Sequence, residues 1–200
     1  MPGEPSTRRG RASRERIVEQ AAELFAERGI AATSVDEVLV AAGAGKGQFY
    51  HYFRSRDELA AAAVGFRCAQ VVAGLTQALG AVSSLAGLEE ALEGFIAGFE
   101  QTGMPGCPIG TLATEVAGRN EDARLRAAAG FDAWERLLAD ALERMRQRGE
   151  LRADAQPAVL ATGLLASIEG GMVLSQARKD MASLRVAVEA GLAQVRVFLG

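Results

Sequence analysis

Residues 33–53 read TSVDEVLVAAGAGKGQFYHYF, and this stretch constrains the fold more than any other in the chain. Thr33 and Ser34 offer hydroxyls at a helix start, and Asp36 and Glu37 place negative charge in the first turn, where the helix dipole favours it. Val35, Val38 and Leu39 recur at i, i+3 and i+4, one face of a short helix. Gly43 can take the left-handed conformation that ends it. Ala44-Gly45 leaves room only for a tight turn before a second helix, Lys46 to Tyr52. Phe49 and Phe53 lie i, i+4 and pin that helix to a core. Lys46, Gln48, Tyr50, His51 and Tyr52 fall largely on its other faces. The product is a helix-turn-helix whose outer face carries a cation, an amide and phenols, groups that bond phosphates and base edges.

The run Ala42-Gly43-Ala44-Gly45-Lys46-Gly47-Gln48-Phe49-Tyr50-His51-Tyr52-Phe53, followed by Arg54-Ser55-Arg56-Asp57-Glu58-Leu59, resembles the N-terminal domain of the tetracycline-repressor (TetR) family. The likeness covers about residues 11–60. One departure is Gly45, where the family usually has a serine, so the second helix lacks a hydroxyl cap. The resemblance implies a homodimeric repressor that leaves a roughly palindromic double-stranded operator when a small molecule binds the C-terminal domain. It carries DNA contact to Thr33, Lys46, Gly47, Gln48, Tyr50, His51, Tyr52 and Arg56. Side-chain chemistry makes Gln48 the base reader, since an amide can bond adenine N6 and N7 together. Lys46, Tyr50, His51 and Thr33 suit phosphates, and Gly47 lets backbone approach closely. Tyr52 has two readings, DNA contact or packing against the first helix.

Composition narrows the rest. Charged residues are 24% and apolar ones 49% of the 200 residues, as in an ordinary globular chain. Abundant Ala, Leu, Glu and Arg, five Pro and the lack of alternating strand patterns favour an all-α fold of about nine helices. The expected organisation is a disordered basic tail at 1–12, a three-helix DNA-binding head at 13–55, and an effector-binding and dimerisation domain at 56–200. Ser13 can cap the first helix, and Arg8, Arg9 and Arg11 lie either in solvent or against DNA. Net charge is −3, yet residues 1–56 hold nine basic against seven acidic groups. That mild asymmetry suits a DNA head on a body that does not touch DNA.

His51 is the only histidine and the cysteines are Cys68 and Cys107, so no metal set, Ser-His-Asp triad or phosphate loop can be assembled. The expectation is a protein that is not an enzyme and carries no cofactor and no metal. Two thiols make no disulfide framework, and neither a signal peptide nor an 18-residue apolar run is visible, which points to a cytoplasmic chain with no membrane partner.

In the body, Phe95, Phe99, Met104, Cys107, Phe131, Trp134, Glu169 and Met172 are candidates for an effector pocket, although helical periodicity would equally place most of them in the core. Residues 106–112, with Ser167-Ile168-Glu169-Gly170-Gly171, resemble the family branch that includes flavonoid- and lincomycin-responsive repressors. That resemblance implies a small apolar or aromatic effector. Cys107 precedes Pro108 at a helix start, where the dipole would favour a thiolate, so a redox-sensing repressor stands beside simple packing as a reading. A DNA-binding regulator with a filled body and no small-molecule effector is the other alternative. The helix from Pro157 is apolar around its circumference and needs cover on more than one side. Leu160, Leu164 and Ile168, with Leu184, Val188, Leu192 and Val195 of the last helix, are the expected dimer interface.

Overall fold

The computed structural model describes residues 5, 7–103 and 106–200. Nine helices are present among them: α1 Arg8–Arg28, α2 Val35–Ala41, α3 Lys46–Tyr52, α4 Arg56–Leu79, α5 Leu85–Thr102, α6 Pro108–Val116, α7 Glu121–Gln147, α8 Pro157–Arg178 and α9 Ala182–Arg196. The all-α reading is correct. Helix ends fall where the local chemistry puts them. Ser34 and Glu37 form a reciprocal capping box on α2. Pro157 opens α8, and Gly103 closes α5 in the left-handed conformation.

α1 corrects one expectation. It begins at Arg8, capped by the Thr7 hydroxyl, which accepts from Gly10 N–H at 3.1 Å. Residues 8–12 are therefore helical rather than part of a disordered tail, and Ser13 lies buried inside the helix instead of capping it. Residues 1–4 and 6 are outside the described set.

The chain divides into two compact units, and the division does not fall at residue 55 or 56. The first comprises Met1–Val71 and Pro108–Gly130; the second comprises Val72–Cys107 and Phe131–Gly200. α6 thus belongs to the unit that contains the helix-turn-helix. The first unit buries Ile17, Ala21 and Phe25 of α1, Val38 and Leu39 of α2, Phe49 and Phe53, and Leu59 and Val64 of α4. Ile109, Leu112 and Val116 of α6 are buried in the same unit. Cys68 packs against Gly130 at a distance that leaves no room for a Cβ there. Burial pushes its thiol pKa up, in keeping with an inert core cysteine.

In the second unit, Arg144 of α7 donates to the carbonyls of Leu79 and Val82 at 2.9 and 2.8 Å, satisfying the end of α4. Arg185 of α9 bridges Glu93 and Glu100 of α5. α8 and α9 approach closely because two glycines permit it. A Cβ at Gly171 would lie 2.9 Å from the Leu184 Cα, and one at Gly191 would lie 2.6 Å from Leu164 Cδ1. α4 and α8 are long and apolar enough to cross a membrane by length and composition, with mean hydropathies of 1.5 and 1.6. The search for uninterrupted apolar runs misses this, because scattered Arg, Glu and Gln break the runs without lowering the average far. In α8 the apolar surface serves helix packing on one side, against α9.

Candidate nucleic-acid interface and ligand region

The helix-turn-helix is held from three directions. Phe49 and Phe53 pack together, with ring centroids 5.6 Å apart, and Arg14 of α1 lies over the Phe53 ring at 5.2 Å. Tyr52 is buried, which settles its two readings in favour of the core. Gly45 supplies no side-chain cap for α3, but the deficit is met from the other end. Gln48 Oε1 accepts from Gly45 N–H at 2.9 Å, and its Nε2 donates to Ser13 Oγ at 3.2 Å. Both polar ends of the amide that sequence reading assigned to an adenine are bonded inside the head.

Two further expected DNA contacts are placed differently. Thr33 is only 1% exposed, and its hydroxyl donates to the Gly29 carbonyl at 2.9 Å, which removes it from the surface. Arg56 turns its guanidinium onto the α1–α2 loop, donating to the carbonyls of Ile30, Ala31 at 3.4 Å and Thr33 at 3.1 Å. Its role here is to satisfy a loop whose carbonyls have no helix to pair them. Lys46, Gly47, Gln48, Tyr50 and His51 do lie exposed on α3, Tyr50 at 66%. Lys46 pairs with Asp36 of α2 at 3.0 Å, but both groups are well exposed, and such a pair is worth only about 0–1 kcal/mol. A phosphate can displace it at little cost. The exposed face of α3 thus offers a cation, an amide, a phenol and an imidazole beside open backbone at Gly43, Gly45 and Gly47, where an added Cβ would meet nothing within 4 Å.

Sequence reasoning missed Glu115 as part of this head and took Ser13 for a helix cap rather than a partner of Gln48. Glu115 of α6 accepts the Ala31 N–H at 2.7 Å. No local pattern could have identified it, because its partner is 84 residues away.

The expected effector residues separate into two groups. Trp134 is 2% exposed and Met172 is fully buried, so both are core rather than open wall. Phe95 links them to the surface: its ring sits 5.6 Å from Trp134 and 4.9 Å from Phe99. Phe131 is half-buried. Phe99 borders an open cleft of about 520 Å³, lined also by Glu100, Gly103, Gln176, Lys179, Asp180 and Met181. Met104 lies outside the described residues.

Glu169 and Cys107 are brought together. The buried Cys107 thiol donates to the Glu169 carboxyl, while Glu169 Oε1 is buried without a hydrogen-bond partner among the described residues. A thiol buried and bonded in this way does not support the redox-sensing reading of Cys107. Burial is the largest influence on Glu169 and raises its pKa, with the Cys107 bond acting the other way. The folded protein therefore holds that proton more tightly than the unfolded chain. The resulting stability is present below the ordinary carboxylate value of about 4.3 and is lost as pH rises through the raised one. Glu169→Gln is expected to leave the melting temperature unchanged near pH 4 and to raise it at pH 7. An equal shift at both pH values would show that titration of Glu169 is not the cause.

The expected dimer residues also change place. Leu160, Leu164, Ile168, Leu184, Val188, Leu192 and Val195 are all buried within the single chain, Leu164 and Leu184 where α8 meets α9, and Val188 and Leu192 beside Leu92 and Ile96 of α5. The exposed apolar residues of the two helices are others: Val159, Val173 and Leu174 on α8, and Val186 on α9, with Val197 just beyond.

A helix-turn-helix with an exposed second helix, joined to a body built of helices, defines a DNA-binding transcription regulator. Residues 17–63 match the bacterial regulatory proteins, tetR family, and residues 84–190 match the C-terminal domain of LmrA/YxaF-like transcriptional regulators. The chain belongs to the TetR family, and it is a regulator rather than an enzyme. An HTH-type transcriptional regulator of Mycobacterium tuberculosis is 33% identical over 187 residues, spanning 86% of this chain and 88% of its own. YxaF of Bacillus subtilis is 32% identical over 183 residues, spanning 88% and 92%. Among solved structures, the regulatory protein TetR from Rhodobacter sphaeroides superposes with a TM-score of 0.77 at 26% identity, covering 94% of this chain and 99% of that one. A TetR-family regulator from Cytophaga hutchinsonii reaches 0.84 at 22% identity across 98% of both chains, a likeness of fold.

Proposed function

We propose that the protein is a homodimeric repressor, acting in the cytoplasm and without a membrane partner, that leaves a palindromic operator when a small apolar or aromatic molecule binds its C-terminal domain. The observation that carries this reading is the outward apolar surface of α8 and α9. Val159, Val173, Leu174 and Val186 stay exposed after the inner seam has been filled, and aliphatic surface of that extent on adjacent helices calls for a partner. A second copy offering the same face would bury it isologously, and a two-fold dimer reads a two-fold operator. Repression is supported by relatives: DhaR of a Mycobacterium species, 24% identical over 163 residues, is named a transcriptional repressor.

Lys46, Gly47, Tyr50 and His51 are the groups that meet DNA directly. An apolar or aromatic effector is supported by the Phe95–Phe99–Trp134 cluster and by the cleft at Phe99, whose walls combine apolar surface with a few polar groups.

The test begins with a duplex selected by this protein from random sequence and a compound found by thermal-shift screening of small aromatics. The compound should lower DNA affinity, and the duplex should lower affinity for the compound by the same factor, since linkage is reciprocal. Equal compound affinity with and without the duplex would refute effector-driven release.

A further inference from the structure

The α1–α2 loop is held by side chains from elsewhere in the chain. Gly29 ends α1 at φ +86°, a conformation open to glycine, and the next residues run to Ser34 without helical hydrogen bonds of their own. From α4, Arg56 satisfies the carbonyls of Ile30, Ala31 and Thr33. From α6, Glu115 accepts the Ala31 N–H at 2.7 Å. The Glu115 carboxylate also covers Gly29, where a Cβ would come within 3.2 Å of its Oε1. The turn after α6 is itself tied to the start of α4, because Asn120, just ahead of α7, donates from Nδ2 to the Asp57 carbonyl at 2.8 Å.

We propose that Glu115 is a positioning residue for DNA binding: its carboxylate fixes the Ala31 amide and thereby sets the loop from which α2 and α3 are presented. Three observations carry this. The bond is short and links residues 84 apart, so it is not a by-product of helix geometry. It ties the Ala31 amide of an exposed loop to a second element, so its loss leaves that amide to water and the loop without this tether. An acidic side chain near a phosphate-binding head is also electrostatically unfavourable, so its presence there calls for a compensating role.

That last point makes the test sharp, because a bystander acid and a positioning acceptor differ in the sign of their effects. A bystander would relieve repulsion when removed, so E115A and E115Q would both tighten binding to the selected duplex. A positioning acceptor separates the variants. E115Q keeps a carbonyl oxygen in reach of the Ala31 amide and should bind within about threefold of wild type. E115A loses the bond and should bind about tenfold more weakly. E115D keeps the charge but falls a methylene short, so it should follow E115A. The slope of log affinity against log salt should stay unchanged in all three, since no phosphate contact is lost. Amide exchange at Ala31 should be fast in E115A and slow in E115Q, with equal melting temperatures. The proposal fails if E115A and E115Q bind DNA alike. It fails also if E115A loses affinity only in proportion to a fall in melting temperature, or if Ala31 exchange is the same in both variants.

Discussion

Val173→Glu together with Val186→Glu is expected to convert a dimer into a folded monomer and to weaken operator binding by about two to four orders of magnitude. The two side chains are 62% and 70% exposed on α8 and α9, so neither carries the packing within the chain. In an isologous dimer each occurs twice, and full burial of a valine contributes about 1.5–3 kcal/mol. Replacing four buried valines with carboxylates both removes that contribution and places like charges across a two-fold axis. Separate heads then bind half-sites independently and lose the effective concentration that linkage provides, typically a factor of 10²–10⁴. Sedimentation without DNA should show monomers at micromolar concentration, while far-UV circular dichroism stays unchanged. Leu164→Glu makes the contrast: Leu164 is fully buried on the α8–α9 seam, and its replacement should unfold the body rather than split a dimer. A double variant that still sediments as a dimer would place the interface elsewhere.

That contrast shows what the sequence could and could not convey. α3 is legible to the residue, because Gly43 and Gly45 punctuate the chain before it, and Pro108 and Pro157 mark the starts of α6 and α8. The identity of α8 as an unusually apolar helix is equally plain. Which of its sides meets α9 is not, since an apolar circumference has no periodicity to distinguish seam from surface. The deciding residues are Gly171 and Gly191, and their meaning appears only when the opposing helix is in place. Polar side chains fared in the same way. Thr33, Gln48 and Arg56 have the chemistry of DNA contacts, but each finds a partner inside the head; for Gln48 and Arg56 those bonds span 35 and 23 residues and leave no local trace, whereas that of Thr33 reaches back only four. Of the three only Thr33 is buried; Gln48 and Arg56 stay exposed beside Lys46, Tyr50 and His51 but carry these internal bonds.

Gln48→Ala is accordingly expected to weaken binding to the selected operator and to random duplex by a similar factor, about tenfold, and to lower the melting temperature. The amide supplies the acceptor for Gly45 N–H, one of the orphan donors at the start of α3, and the donor to the buried Ser13 hydroxyl on α1. Loss of a cap costs about 0.5–2 kcal/mol, and α3 spans only seven residues, so it has little else to hold its first turn. A recognition helix that frays at its N-terminus presents every contact less well, whatever the base sequence beneath it. A direct reader behaves differently: its removal costs about 1–3 kcal/mol on the true site and far less on random DNA. Lys46→Ala supplies the third pattern, a uniform loss with the salt slope reduced by about one unit and no change in melting temperature. Ser13→Ala separates the two roles of the amide further. If Gln48 acts by holding α3 to α1, Ser13→Ala should reproduce part of its effect although Ser13 is buried, and the double variant should cost less than the two single losses together. Loss confined to the selected operator in Gln48→Ala, with Ser13→Ala silent, would return Gln48 to the role of base reader and would mean that its amide leaves both internal partners when DNA binds.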